Sequence, residues 1–191
     1  MNRSCLDFIT APLPPKEGRR RLPLFRDVME AAMEASEATH FVFTNSDIGL
    51  MPGFYANVAR LVRCGHSAFS VNRVETVERR PDGRRYEAAD VMDVYRLAAA
   101  HVQRHPGHDC FVLPRGIMQR VLDHMGNVYV GYPPIGSLLR ESASWADRNY
   151  VSLSGLHMTF HLGWKNGEWG SVKESPYEVQ NRLHARQARQ A

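Results

Sequence analysis

Cysteine is scarce in this chain. Only Cys5, Cys64 and Cys110 occur, and no two of them are spaced as CxxC. An odd count without that spacing excludes a disulfide framework and argues against structural zinc, so a reducing, cytoplasmic setting is expected. No apolar run approaches the roughly 18 residues that a membrane-spanning helix needs. The opening MNRSCLDFITAPLPP has no apolar stretch long enough for a secretory signal. Aromatic residues are not interleaved with the basic clusters, so the usual platform for stacking single-stranded bases is missing. No nucleic-acid-binding motif stands out, and no specific nucleic-acid partner is expected.

The composition is that of a soluble globular domain, with 43% apolar and 23% charged residues in 191. That length buries enough surface for one domain to fold without staples. We read residues 1–174 as a single domain and 175–191 as a polar, basic tail that can form a frayed helix. The net charge is +4, and much of the excess is local: Arg19 to Arg21, Arg79-Arg80, Arg84-Arg85, and Arg182, Arg186 and Arg189 in the tail. A basic balance favours anionic partners without choosing among nucleic acid, phosphates and membrane surfaces.

Apolar periodicity alternates between strand and helix. Residues 6–11, LDFITA, read as a short strand, and the Pro/Gly/Arg stretch from Leu13 to Arg21 as an exposed loop. Residues 23–36 have helical spacing at Leu24, Val28, Ala31/Ala32 and Ala35, with Pro23 suited to the first turn. HFVFT (40–44) predicts a strand buried on both faces. A helix is expected over 52–63 with Gly65 as its C-terminal cap, then a strand over 67–74, a turn at 79–85 and a helix over 89–102. His105-Pro106-Gly107 should break that helix before a short strand at 110–113. Helices over 115–125 and 137–147 bracket a strand and Pro-Pro turn in 128–136, and 156–164 reads as the last strand. This alternation predicts an α/β fold, a mostly parallel sheet flanked by helices. In such sheets ligands bind beyond the carboxyl ends of the strands.

Three polar groups therefore stand out. Thr44-Asn45-Ser46-Asp47 follows the strand Phe41-Val42-Phe43, where a carboxylate can meet a hard cation together with phosphate oxygens. Asp47 can equally cap the turn or the next helix. His105-Pro106-Gly107-His108-Asp109-Cys110 gathers imidazoles and a carboxylate, the groups from which a general base is drawn. Asp109 can instead bond turn amides. His157 and His161 are four apart and fall on one face in strand or helix, as a metal pair or as core residues. They do not form an HExxH motif, having no Glu after His157. Arg73 follows Phe69-Ser70-Val71-Asn72, where its two-pronged guanidinium suits a phosphate, or it pairs with Glu75 on the surface. Cys110 sits in an apolar stretch and reads as a small hydrophobe rather than a nucleophile. Trp164 and Trp169 flank a hairpin-like Lys165-Asn166-Gly167; they either pack or stack on a sugar.

Taken together, LDFITAP, PLFRDVMEAAMEAS and HFVFTNSDIGLMPGFY resemble the core of nucleotide-sugar glycosyltransferases of the GT-A type, family-2-like, from about Asp7 to Trp164. The most specific match is NSDIGLMPGFYANVARLV, similar to family segments in which an acidic DxD-type motif precedes hydrophobic-x-Pro-Gly-Phe and a helix. HPGHDCFVLPRGIMQRVL resembles the later strand and helix at the acceptor site. The resemblance implies a nucleotide-sugar donor and an acceptor it does not specify. It implies Mn²⁺ or Mg²⁺ held by Asp47 and by His161 or His157, with Asn45, Ser46 and Arg73 toward the diphosphate. Asp109 and His105 would serve the acceptor, Asp109 as base or orienting group. The motif departs from the family in having Asn45 at the first acidic position, where it offers only a neutral oxygen. The family's nucleotide half is also longer than the residues preceding Asn45, so a homo-oligomer or partner chain completing that half is a further expectation. Three other readings compete: a non-catalytic nucleotide- or carbohydrate-binding module on the same fold, a metal-dependent hydrolase using the His/Asp cluster, and a nucleic-acid binder.

Overall fold

A computed structural model describes residues 22–46, 48–74, 90–100, 104–161 and 176–190, without the side chains of 91 and 104–106. The expectations for 6–11, the turn at 79–85 and the Trp164/Trp169 hairpin lie outside these residues. Among the described residues twelve elements follow one another: α1 (Phe25–Glu34), β1 (His40–Thr44), β2 (Ile48–Leu50), α2 (Phe54–Arg63), β3 (Phe69–Val74), α3 (Val91–Ala100), β4 (Arg104–Pro114), α4 (Arg115–Met125), α5 (Ile135–Ala146), β5 (Val151–Leu153), β6 (Thr159–His161) and α6 (Pro176–Ala188). Among the described residues no helix is long and apolar enough to cross a membrane.

The fold is mixed α/β around a six-stranded sheet in the order β1-β4-β3-β6-β2, with β5 also pairing β3. The expected mostly parallel sheet needs correction. Among the described residues β1·β4, β3·β4 and β2·β6 pair antiparallel, and only β3·β5 and β3·β6 pair parallel. The physical reason is β4, which inserts between β1 and β3 and runs against both. β1, β3, β5 and β6 nonetheless point the same way, so their carboxyl ends share one end of the sheet.

The expected break at His105-Pro106-Gly107 is also overturned, because these residues lie inside the eleven-residue β4. β1 covers β4 only from Cys110 to Pro114, and the pairing with β3 shifts register beyond Val71. Proline is tolerated where a strand is uncovered on one side and irregular on the other. β1 is not uniformly buried; Phe41 and Phe43 are buried while His40, Val42 and Thr44 are half-buried. Residues 128–136 form no strand beyond a single bridge between Leu24 and Tyr129.

The two sides of β1 and β4 build two cores. Phe41, Phe43, Phe111 and Leu113 join α1, α4 and α5, and Phe25 meets Phe43 edge-on at 4.8 Å. Cys110, Val112, Phe69 and Val71 pack under Phe54 and Val58 of α2. Full burial of each such side chain is worth roughly 1.5–3 kcal/mol. The α2 end follows from Gly65, whose φ of +95° disfavours other residues. Gly65 N–H then donates to Val62 O at 3.0 Å and His66 N–H to Leu61 O at 3.0 Å, closing the helix. Arg115 ties the α1–β1 connection by donating to the carbonyls of Met33, Ser36 and Ala38, its guanidinium 5.0 Å over the Phe41 ring.

The stretch from 175 holds α6, which lays Tyr177, Asn181, Ala185 and Ala188 against the domain. Buried Asn181 accepts from Tyr129 N–H at 2.7 Å and donates to the Tyr129 and Tyr132 carbonyls at 3.0 Å. It satisfies backbone groups that the single bridge to Leu24 leaves unpaired.

Candidate functional site

The site is built where β1, β3 and β6 end. Asn45 extends the β1–β4 ladder by one pair, its N–H donating to Asp109 O at 3.2 Å. Its side-chain Nδ2 donates to Asp109 Oδ1 at 3.0 Å. From β3, Arg73 Nη1 donates to Asp109 Oδ2 at 2.6 Å, with side chains only 15% and 11% exposed. Asn45, Arg73 and Asp109 thus form one hydrogen-bonded group, and both carboxylate oxygens are engaged.

Asp109 is aimed by an irregularity in the sheet. Val71 pairs with Cys110, but Asn72 pairs with His108, so Asp109 has no opposite residue on β3. A bulge of this kind bends a strand and redirects one side chain, and bulges recur beside functional sites. No local sequence signal marks it, since it is set by the register between β3 and β4.

The remaining expected residues distribute as follows. Ser46 is exposed in the turn after Asn45, and Ile48 N–H closes that turn by donating to Asn45 O at 3.2 Å. Asp47 lies outside the described residues. His161 ends β6 and pairs in register with Ile48, the residue that follows Asp47. His157 is not on that strand; it is exposed in the turn before β6, so the two histidines do not share a strand face. His105 belongs to β4, its side chain outside the described residues. Among the described residues no three His, Cys, Asp or Glu side chains gather as a metal site. Burial pushes the Cys110 thiol up to about 12, which fits an inert core position.

Beside the group lies a polar track of which the sequence reading had singled out His108 alone. Fully buried Ser70 contacts His108 Nδ1 at 3.4 Å and Ser152 Oγ at 3.5 Å. Burial also pushes the Tyr150 phenol up to about 12. The available signal was the alternation in FSVN: Phe69 and Val71 serve the α2 core, which leaves Ser70 and Asn72 to line the opposite, interior face.

Burial, and then the neighbouring Arg140, hold the His108 imidazole below its ordinary range, partly offset by Asp109. The unfolded chain therefore takes up this proton before the folded one does. Stability rises with pH across the window between the lowered folded value and about 6.5, and is lost on acidification through it. Urea midpoints from pH 8 to pH 5 should fall below about pH 6.5, and His108→Gln should flatten that fall. An equal slope in the variant would assign the acid sensitivity elsewhere.

Comparison with protein-family models, with curated proteins and with solved structures finds no match for this chain.

Proposed function

We propose that this chain is a metal-dependent sugar transferase domain of the GT-A type, using a nucleoside-diphosphate sugar. The observation that carries the reading is the convergence of Asn45, Arg73 and Asp109 at the end of the sheet where β1, β3 and β6 terminate. Ligands of open α/β sheets bind at the carboxyl ends of strands. Arg73 brings a guanidinium suited to phosphate oxygens, and Asn45 and Ser46 bring neutral donors beside it.

Mn²⁺ or Mg²⁺ takes few protein oxygens together with substrate phosphates. The pairing of Ile48 with His161 is compatible with Asp47 and His161 sharing that duty, with His157 the alternative. A cation so held would neutralise charge on the leaving diphosphate. In the transfer, the bond between the anomeric carbon and the phosphate oxygen breaks and the diphosphate leaves with the electron pair. The acceptor hydroxyl bonds to that carbon and gives up its proton. Asp109 holds Arg73 and Asn45 toward the diphosphate; to take the acceptor proton it would first have to leave one of them. His105 is the other candidate on the acceptor side. The cytoplasmic setting belongs to the same reading and is supported by the free thiols Cys64 and Cys110.

The engagement of both Asp109 oxygens favours a second reading, a nucleotide- or carbohydrate-binding module without turnover, or one completed by a partner chain or second copy. Release of nucleoside diphosphate from UDP-, GDP- and CDP-sugars separates the two. The transferase reading expects metal-dependent release that falls at least about a hundredfold in Asp47→Ala. A folded protein with no release from any donor would leave the binding module.

A further inference from the structure

α6 is docked through the hydrogen bonds of buried Asn181, and the flank beside its buried face is strongly basic. Arg182, Arg186 and Arg189 recur at i, i+4 and i+7, spacing that places three guanidinium groups along one side of a helix. They line a groove of about 310 Å³, with Ala185 beside them and Pro133 and Pro134 also in the wall.

The outer two cations are already held in place. Arg182 donates from Nε and Nη2 to Glu178 Oε1, at 3.1 and 2.6 Å. Arg189 donates from Nε and Nη2 to the two oxygens of Glu141, at 2.8 and 2.9 Å. Those bonds hold the Glu141 carboxyl below its ordinary range. Arg186 lies between them, exposed, and makes no ion pair among the described residues. Among the described residues, then, each outer arginine of the groove has a glutamate beside it and Arg186 in the middle has none.

We propose that this groove binds the phosphate of a small phosphorylated molecule, with Arg186 as the principal contact and Arg182 and Arg189 on either side. A planar guanidinium offers paired donors that match phosphate oxygens. The proline rings have no N–H to give, and the Pro134 carbonyl already accepts from Ser137 Oγ at 2.9 Å. That wall is therefore suited to the apolar or sugar part of the same molecule. The volume is at the low end for small-molecule sites. None of these residues belongs to the Asn45–Arg73–Asp109 group, so the inference does not depend on the transferase reading.

The test is titration of the full chain with inorganic phosphate and with pyrophosphate, following backbone amide shifts by NMR at constant ionic strength. The same series uses anionic phospholipid vesicles and a short oligonucleotide as separate arms. Pyrophosphate should shift the amides of residues 182–189, and Arg186→Gln should weaken that binding by about tenfold at unchanged thermal stability. Shifts confined to the β1 and β3 ends would place the anion at the other site and overturn the proposal. So would equal affinity in Arg186→Gln. Binding seen only with vesicles or oligonucleotide, falling steeply with salt, would assign the stripe to an extended polyanion and overturn it as well.

Discussion

Asp109→Ala should lower the unfolding free energy by about 3 kcal/mol, because it removes the carboxylate paired at 2.6 Å with the largely buried Arg73 guanidinium. The loss has two parts. Arg73 keeps its charge in a place where only 15% of its side chain meets solvent, and Asn45 Nδ2 loses its acceptor. A surface ion pair would cost less than about 1 kcal/mol on the same substitution, so the size of the effect decides which kind of pair this is. The double variant Arg73→Met/Asp109→Leu should recover most of the stability, since it removes both charges together. It should not recover any ligand binding that depends on Arg73. Urea unfolding of the three proteins measures all of this; a loss below 1 kcal/mol in Asp109→Ala would contradict the buried-pair description.

Gly136→Ala should be nearly as damaging, for a different reason. Gly136 sits in the first turn of α5, where alanine is ordinarily the better helix former by about 1 kcal/mol. Here the added Cβ would stand 2.5 Å from the carbonyl oxygen of His108. That oxygen belongs to β4 and has no rotamer to adopt, so α5 or the strand must move. A net loss of about 2 kcal/mol is expected, of the size seen for overpacked cores. The displaced strand is the one carrying Asp109, so nucleotide binding should weaken together with stability. Gly116→Ala in α4 is the matched control, because its Cβ would meet nothing within 4 Å. It should be neutral or slightly stabilising. Thermal unfolding of both variants checks the opposite signs, and a stabilised Gly136→Ala would contradict the close packing of α5 on β4.

Much of this architecture is legible from local pattern. The helices over 25–34, 54–63 and 115–125 follow from apolar spacing, and β1 from a five-residue β-branched and aromatic run. Strand direction is not local. The alternation of strand and helix is the same whether β4 runs with or against its neighbours, so the parallel sheet was the natural expectation and the mixed one the outcome. β2 and β5 are three residues each, too short for any period to register. The candidate site divides along the same line. Asn45 and Arg73 could be placed near strand ends from sequence, because Asn45 follows an apolar run and Arg73 follows the alternating Phe69-Ser70-Val71-Asn72. Their common partner could not, because the Asp109 bulge depends on register between β3 and β4. His157 and His161 illustrate the converse, a spacing that promises a shared face until the strand begins two residues after the first of them.

The central claim is that the Asn45–Arg73–Asp109 end of the sheet takes a nucleoside diphosphate with a divalent cation. Calorimetric titration of UDP, GDP and CDP, with and without Mn²⁺, on wild type and Asp47→Ala tests it most directly. Binding of one nucleotide that requires both Mn²⁺ and Asp47 is the expected result. No binding of any of the three by the folded wild-type protein, or binding indifferent to both Mn²⁺ and Asp47, would contradict it.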